Sequence, residues 1–318
     1  MFLRRIRMQT LQIVLPVLIM LFIGMICNKT KMISDTGIEN IKKFITTFPL
    51  PLTIFHAVST AYYDKEVVIV FGIMLASVVV ALSLGFVCKG IVKEPYRKYF
   101  PYIMTIYEGG MMAFPLYQSL MGVENMSNIA IIDVPCGIFA FGVYFGLVKM
   151  TDQGTKFNIK ELIKNAFSSP CFVALLLGLF MGTTGLMNDF LALNAGDLYL
   201  SIKNMLTAPL SAMILLCVGY EFSLDKNLVG VCLKTVFARV IIQGALLLVI
   251  LYMFATKPDM FAEEMKIGLV LYFITLPSLC LSSFVKNQKA SKYISTTSSI
   301  YLIITLVGYA VLAWIIGG

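Results

Sequence analysis

The sequence predicts an all-α integral membrane protein: ten transmembrane helices in two inverted five-helix repeats, with helices 4 and 9 broken and crossing near mid-membrane. Three observations lead there. The chain is 59% hydrophobic and 13% charged, with a mean hydropathy of +0.87, whereas a soluble domain carries about 25% charged residues. Its apolar residues fall into ten runs, each near the roughly 20 residues a membrane span needs. Prolines recur in order at offsets close to half the chain length: Pro16 and Pro170, Pro51 and Pro209, Pro115 and Pro277. A repeat with an odd number of spans enters the membrane from the opposite side the second time, and paired Pro/Gly-interrupted helices mark the substrate region of such folds.

The ten runs are 9–27, 44–61, 66–88, 99–121, 127–149, 169–187, 199–222, 229–253, 265–285 and 294–316. Arg4, Arg5 and Arg7 ahead of the first run resemble a signal peptide, but no small-x-small cleavage site follows Cys27, and the run is kept as a span. Basic residues crowd the odd-numbered loops: Lys42 and Lys43, then Lys89, Lys93, Arg97 and Lys98, then Lys149 to Lys164 and Lys286 to Lys292. Lys/Arg bias sets orientation. It places those loops in the cytoplasm and both termini outside, although the N-terminal arginines argue the other way. Residues 1–150 form the first repeat and 169–318 the second. Between them lies a cytoplasmic linker, 151–168, in which the lysine-interleaved apolar pattern of 155–167 predicts a short amphipathic helix on the membrane surface.

Several classes are excluded. The net charge of +8 sits in short loops, where it sets topology and meets anionic headgroups; nucleic acid is not an expected partner. Seven cysteines lie in or beside apolar runs without CxxC spacing and read as small buried hydrophobes. His56 is the single histidine, which rules out HExxH and multi-histidine metal sites. No GxSxG occurs, so an intramembrane enzyme would lack a convergent nucleophile and base. No metal or organic cofactor is expected.

The chemistry concentrates in 102–121, YIMTIYEGGMMAFPLYQSLM. Glu108 is a carboxylate inside an apolar run, costing roughly 2.5–3.5 kcal/mol on the insertion scale. Gly109, Gly110 and Pro115 weaken the helix around it. A kinked helix with a hydrogen-bonded glutamate is one reading. The other is backbone that unwinds because it lines a cavity. Span 9, LVLYFITLPSLCLSSF, offers Thr275, Pro277, Ser278 and Ser282 at the equivalent place. Two spans unwound at Pro115 and Pro277 would cross, their free N–H groups and positive half-helix ends favouring an anion and their free carbonyls a cation.

These stretches are identified with a known family. Glu108-Gly-Gly-Met-Met-Ala113-Phe-Pro115-Leu116 resembles the span-4 pattern of the auxin efflux carriers. So do FPLPLTIFHAV (48–58), IIDVPCGIFAF (131–141), APLSAMILLCVGYEF (208–222), and TLPSLCLSSF (275–284) followed by STTSS (295–299). The similarity covers essentially the whole chain. It implies the fold of the bile acid/arsenite/riboflavin transporter superfamily: a scaffold of helices 1, 2, 6 and 7, often dimeric, against a moving core of helices 3–5 and 8–10. Glu108 stands where the plant carriers have asparagine, and Ala113 replaces the usual glycine. The loop 150–168 is far shorter than in typical plant carriers, which points to a prokaryotic-type member.

The resemblance implies a secondary transporter of a small organic anion: a short mono- or dicarboxylate such as malonate or malate, or an auxin-like acid. A membrane receptor on the same fold is the alternative without flux. Glu108, Gly109, Gly110, Pro115, Thr275, Pro277 and Ser278 are the expected substrate contacts. A substrate carboxylate bound beside Glu108 and low-dielectric surroundings penalise its charged form, so Glu108 is expected to carry the coupling proton, with sodium on unwound carbonyls as the rival. Asp133 reads either as a second coupling carboxylate or as an acceptor for a broken-helix N–H. His56 faces the cavity as a gating group or satisfies a backbone carbonyl. Ser282 and Thr297 either line the cavity or back-bond within their own segments. Lys203 and Arg239 lie near span ends, Arg239 beside either headgroups or an intramembrane carboxylate, and both are expected to snorkel to headgroups.

Overall fold

The computed structural model describes residues 2–154 and 159–316, and every apolar run is built of helix, interrupted by extended stretches in runs 4 and 9. Six helices among the described residues are long and apolar enough to cross a membrane. They include α1 (Phe2–Thr30), α4 (Lys65–Cys88), α14 (Val229–Thr256) and α16 (Gln288–Ile316). Their outer faces carry Phe22, Val87, Phe237 and Trp314, each more than half exposed, as suits side chains that meet lipid. The other two spans are jointed. A π-turn at Ala140–Tyr144 joins α7 (Met126–Phe139) to α8 (Phe145–Gln153), and Pro209 separates α12 (Asn194–Thr207) from α13 (Leu210–Glu221).

The remaining runs are built of shorter pieces, and proline explains two of the joints. Pro49 and Pro51 start α3 (Pro49–Ser59) just after α2 (Asp35–Thr47). Pro170 opens α10 (Pro170–Thr184) at its N-terminus, where its missing N–H is no loss. Run 4 divides into α5 (Phe100–Thr105), an extended stretch through Glu108, a π-turn at Gly109–Ala113 and α6 (Phe114–Met121). Run 9 divides into α15 (Glu263–Ile274), an extended stretch through Ser278 and a 3-10 turn at Leu279–Phe284. The two extended stretches meet: Tyr107 and Pro277 form an isolated antiparallel bridge, and the Glu108 N–H donates to Leu276 O at 2.9 Å.

Glycines bring two helix pairs together. A Cβ on Gly24 of α1 would lie 2.2 Å from Leu216 O, and one on Gly219 of α13 would lie 2.1 Å from Leu21 O. Likewise, a Cβ on Gly178 or Gly182 of α10 would fall 3.0 Å from Phe55 O and 2.8 Å from Val58 O of α3. Small residues permit such backbone approach between membrane helices.

Two expectations change, and a third holds as far as the described residues go. Residues 35–43 are not loop: Ser34 Oγ accepts from the Gly37 N–H at 3.0 Å and caps α2, and Lys42 pairs with Glu221. Within the linker, residues 155–158 lie outside the described residues, and the expected helix runs over Ile159–Phe167 (α9). Its Ile159, Ile163 and Phe167 form an exposed stripe at helical spacing. Cys280 is exposed rather than buried, because it lines a cavity beside the crossing.

Candidate functional site

The crossing breaks both helices at their prolines and glycines, and each break leaves orphan carbonyls on one side and orphan N–H groups on the other. Each set is met by a charged side chain of the opposite sign. On the N–H side stands Glu108, 6% exposed. Its Oε2 accepts from the Leu279 N–H at 2.6 Å, at the start of the 3-10 turn, and its Oε1 from the Met111 N–H at 3.3 Å, in the π-turn. The positive ends of both continuing segments therefore share one carboxylate.

On the carbonyl side stands Arg239 of α14, fully buried. It donates to Ile103 O, to Ile106 O at 3.2 Å and to Thr275 O at 3.4 Å. Those carbonyls close α5 and α15. The guanidinium also lies 5.6 Å from the Tyr107 ring centroid and 5.2 Å from that of Tyr301, within cation–π range. Gln243, one turn on, donates to Met104 O at 2.7 Å and accepts from the Tyr107 hydroxyl at 2.7 Å. The expectation that Arg239 snorkels is thus corrected, and among the described residues it pairs with no carboxylate either: backbone carbonyls hold it. The sequence did carry the signal. Arg239 and Gln243 sit four residues apart in an otherwise apolar helix and so share one face.

A cavity of about 410 Å³ opens beside Glu108, lined also by Gly109, Gly110, Asp133, Tyr272 and Ser278. Five of the predicted residues therefore gather in one place. The Tyr272 hydroxyl donates to Asp133 Oδ1, so a side-chain hydroxyl, not a broken-helix N–H, is the donor found for Asp133. Gly109 gives this pair its room: a Cβ would lie 2.1 Å from Asp133 Oδ1 and 3.0 Å from the Tyr272 hydroxyl, so both side chains would have to shift. Lys149, beside the Phe284 ring, also lines this cavity, although in the sequence it reads only as a loop charge.

The other predicted residues lie elsewhere. Pro115 and His56 line a second cavity of about 390 Å³, with His56 Nδ1 3.2 Å from the Tyr199 hydroxyl. Lys203 lines the same cavity and is only 9% exposed, which corrects the expectation that it snorkels. Ser282 lines a third cavity of about 250 Å³ and donates to Leu279 O at 3.0 Å. Pro277 is taken up by the bridge to Tyr107. Thr275 and Thr297 are buried, their hydroxyls bonded within their own segments to Tyr272 O and Tyr293 O at 2.7 Å.

A family model described as membrane transport protein matches residues 10–265, ending just before the break in run 9. The chain belongs to that family, the family of the auxin efflux carriers. No curated protein matches the chain. Family membership makes it a multi-pass membrane transporter, and the crossing is where a buried carboxylate and a buried guanidinium meet its broken helices.

Proposed function

We propose that this transporter carries a small organic anion, a mono- or dicarboxylate such as malonate or malate or an auxin-like acid, together with protons, by alternating access. The observation that carries the reading is the seat of Glu108. Its carboxylate rests on the Leu279 and Met111 N–H groups, donors of the kind that bind carboxylates at helix starts. A substrate carboxylate needs those same donors. A protonated glutamate is a much poorer acceptor than a charged one, so proton binding to Glu108 frees the donors for the incoming anion. Anion and proton then bind together, which is what coupled transport requires. Asp133, on the far side of Gly109, is the second candidate for the coupling proton.

The rival reading, a sodium ion on unwound carbonyls, has less room. Arg239 already occupies the carbonyls of Ile103, Ile106 and Thr275, and a guanidinium is permanently charged.

Alternating access rests on a ten-span reading of the fold as inverted repeats of residues 1–150 and 169–318. In it α2–α3, α5–α6, α10 and α15 with its 3-10 turn complete four spans from shorter pieces. The glycine contacts support it. Under the repeat, span 1 corresponds to span 6 and span 2 to span 7, so the α1–α13 pair maps onto the α10–α3 pair. Gly24 and Gly178 recur at the same offset as Pro16 and Pro170. In this reading spans 1, 2, 6 and 7 form a scaffold that dimerises, the core carries the crossing, both termini face outside the cell membrane, and α9 lies on its cytoplasmic surface.

The test is uptake of radiolabelled short carboxylates into proteoliposomes, with and without a pH gradient and with and without sodium. Wild type is expected to accumulate the anion along the proton gradient, indifferent to sodium, and Glu108→Gln to lose the dependence on the gradient. Sodium-driven uptake would favour the rival. Specific binding without flux under every gradient would indicate a receptor.

A further inference from the structure

On the opposite side of the crossing from Glu108, α3, α12 and α13 face α6 and α7 across the second cavity, about 390 Å³ in volume. The π-turn separates the two spaces: Gly109 to Met111 line the first, and Phe114 and Pro115 line the second. The second cavity holds an unusual charge. Lys203 is 9% exposed, its side chain largely covered by protein. Ion pairs among the described residues join Lys31 to Asp35, Lys42 to Glu221 and Lys266 to Glu263, and Lys203 is in none of them. A covered ammonium without a counter-charge is unfavourable unless an anion comes to it.

The surroundings suit an anion. His56, Asn204 and Gln118 line the cavity with Lys203. The Ser211 hydroxyl donates to Gln118 Oε1 at 2.7 Å, which leaves the amide nitrogen of Gln118 as a donor. The one carboxylate on this wall, Glu124, is exposed and makes no ion pair with Lys203. The first cavity is different: there the backbone donors are already taken by Glu108.

We infer that the second cavity is a separate binding site for a small carboxylate, in which the Lys203 ammonium supplies the counter-charge and Gln118 and Asn204 supply neutral donors. This deepens the transport reading by giving the anion a seat on the other side of the crossing. Occupancy at equilibrium does not depend on transport, so the two ideas fail separately.

His56 is the single histidine of the chain and lines this cavity, which makes it a built-in reporter. Malonate is titrated into detergent-solubilised protein carrying isotope-labelled histidine, and the one imidazole signal is followed by NMR. Wild type and Glu108→Gln are expected to show a saturable shift, Lys203→Met at least a tenfold loss of affinity, and Lys203→Arg near wild-type binding. A shift that persists unchanged in Lys203→Met overturns the site. So does an unmoved signal in wild type up to tens of millimolar malonate. If Lys203→Met fails to fold, Lys203→Gln replaces it. A strong stability coupling between Lys203→Gln and Glu124→Gln would also overturn the inference, because it would make Glu124 the lysine's partner.

Discussion

The two sides of the crossing are finished in opposite ways. The carbonyl side is closed by Arg239, a cation that cannot lose its charge and that holds carbonyls of both broken helices. The N–H side is closed by Glu108, a carboxylate whose charge depends on a proton. The first is a fixed staple and the second a removable one. In the proton-coupled transport proposed above, one side of the crossing has to empty, and the Glu108 side is the one assigned that part.

The largest effect is expected where the staple is fixed. Arg239→Met leaves buried carbonyls without donors and should cost roughly 3–5 kcal/mol, read as a fall in the thermal unfolding midpoint. Arg239→Lys should recover only part, since an ammonium lacks the planar fork. Sodium should stabilise Arg239→Gln and leave wild type unchanged. Sodium stabilisation of wild type would erase the distinction between the two sides.

A smaller effect is expected from Gly109→Ala, which disturbs the Glu108 side alone. Its methyl would collide with Asp133 Oδ1 at 2.1 Å, and overpacking of this kind costs about 1–3 kcal/mol. Carboxylate flux should fall with it, while the sodium indifference expected of wild type should stay. If Gly109→Ala instead acquires sodium stabilisation, the two sides are not independent.

The smallest effect lies away from the crossing. Asp35, exposed at the start of α2, accepts from the Tyr220 hydroxyl at 2.7 Å and pairs with Lys31. The hydrogen bond from Tyr220 and then the nearby Lys31 hold its carboxyl below the usual carboxylate range. A lowered value means stability that is present at neutral pH and lost as pH falls through it. The midpoints of wild type and Asp35→Asn should therefore differ slightly at pH 7, start to converge below about pH 4 and meet only once pH has fallen through the lowered value.

Much of this was legible in the sequence, for physical reasons that differ by residue. Glu108, Gly109, Gly110 and Ser278 stood out because a carboxylate and helix breakers in apolar runs are costly unless they face a cavity. Pro115 was legible as a break but not as to side, because the π-turn at Gly109–Ala113 inserts a residue and rotates the helix beyond it. Thr275 and Thr297 could not be judged, since a threonine can satisfy its hydroxyl on its own helix. Arg239 is not legible from its place along α14 alone; the glutamine four residues on, sharing its face, carries the signal. Lys203 required the tertiary fold, as only packing between α12 and its neighbours decides whether a lysine near a helix end reaches water.

The central claim is that Glu108 surrenders its backbone donors to the anion by taking up a proton. The most direct measurement is proton uptake on anion binding: the carboxylate giving the largest flux is added to purified protein in weakly buffered solution with a pH indicator. Wild type should take up about one proton per bound anion near neutral pH, and Glu108→Gln should bind the anion with none. Anion binding to wild type without proton uptake, or uptake that survives in Glu108→Gln, would contradict the claim.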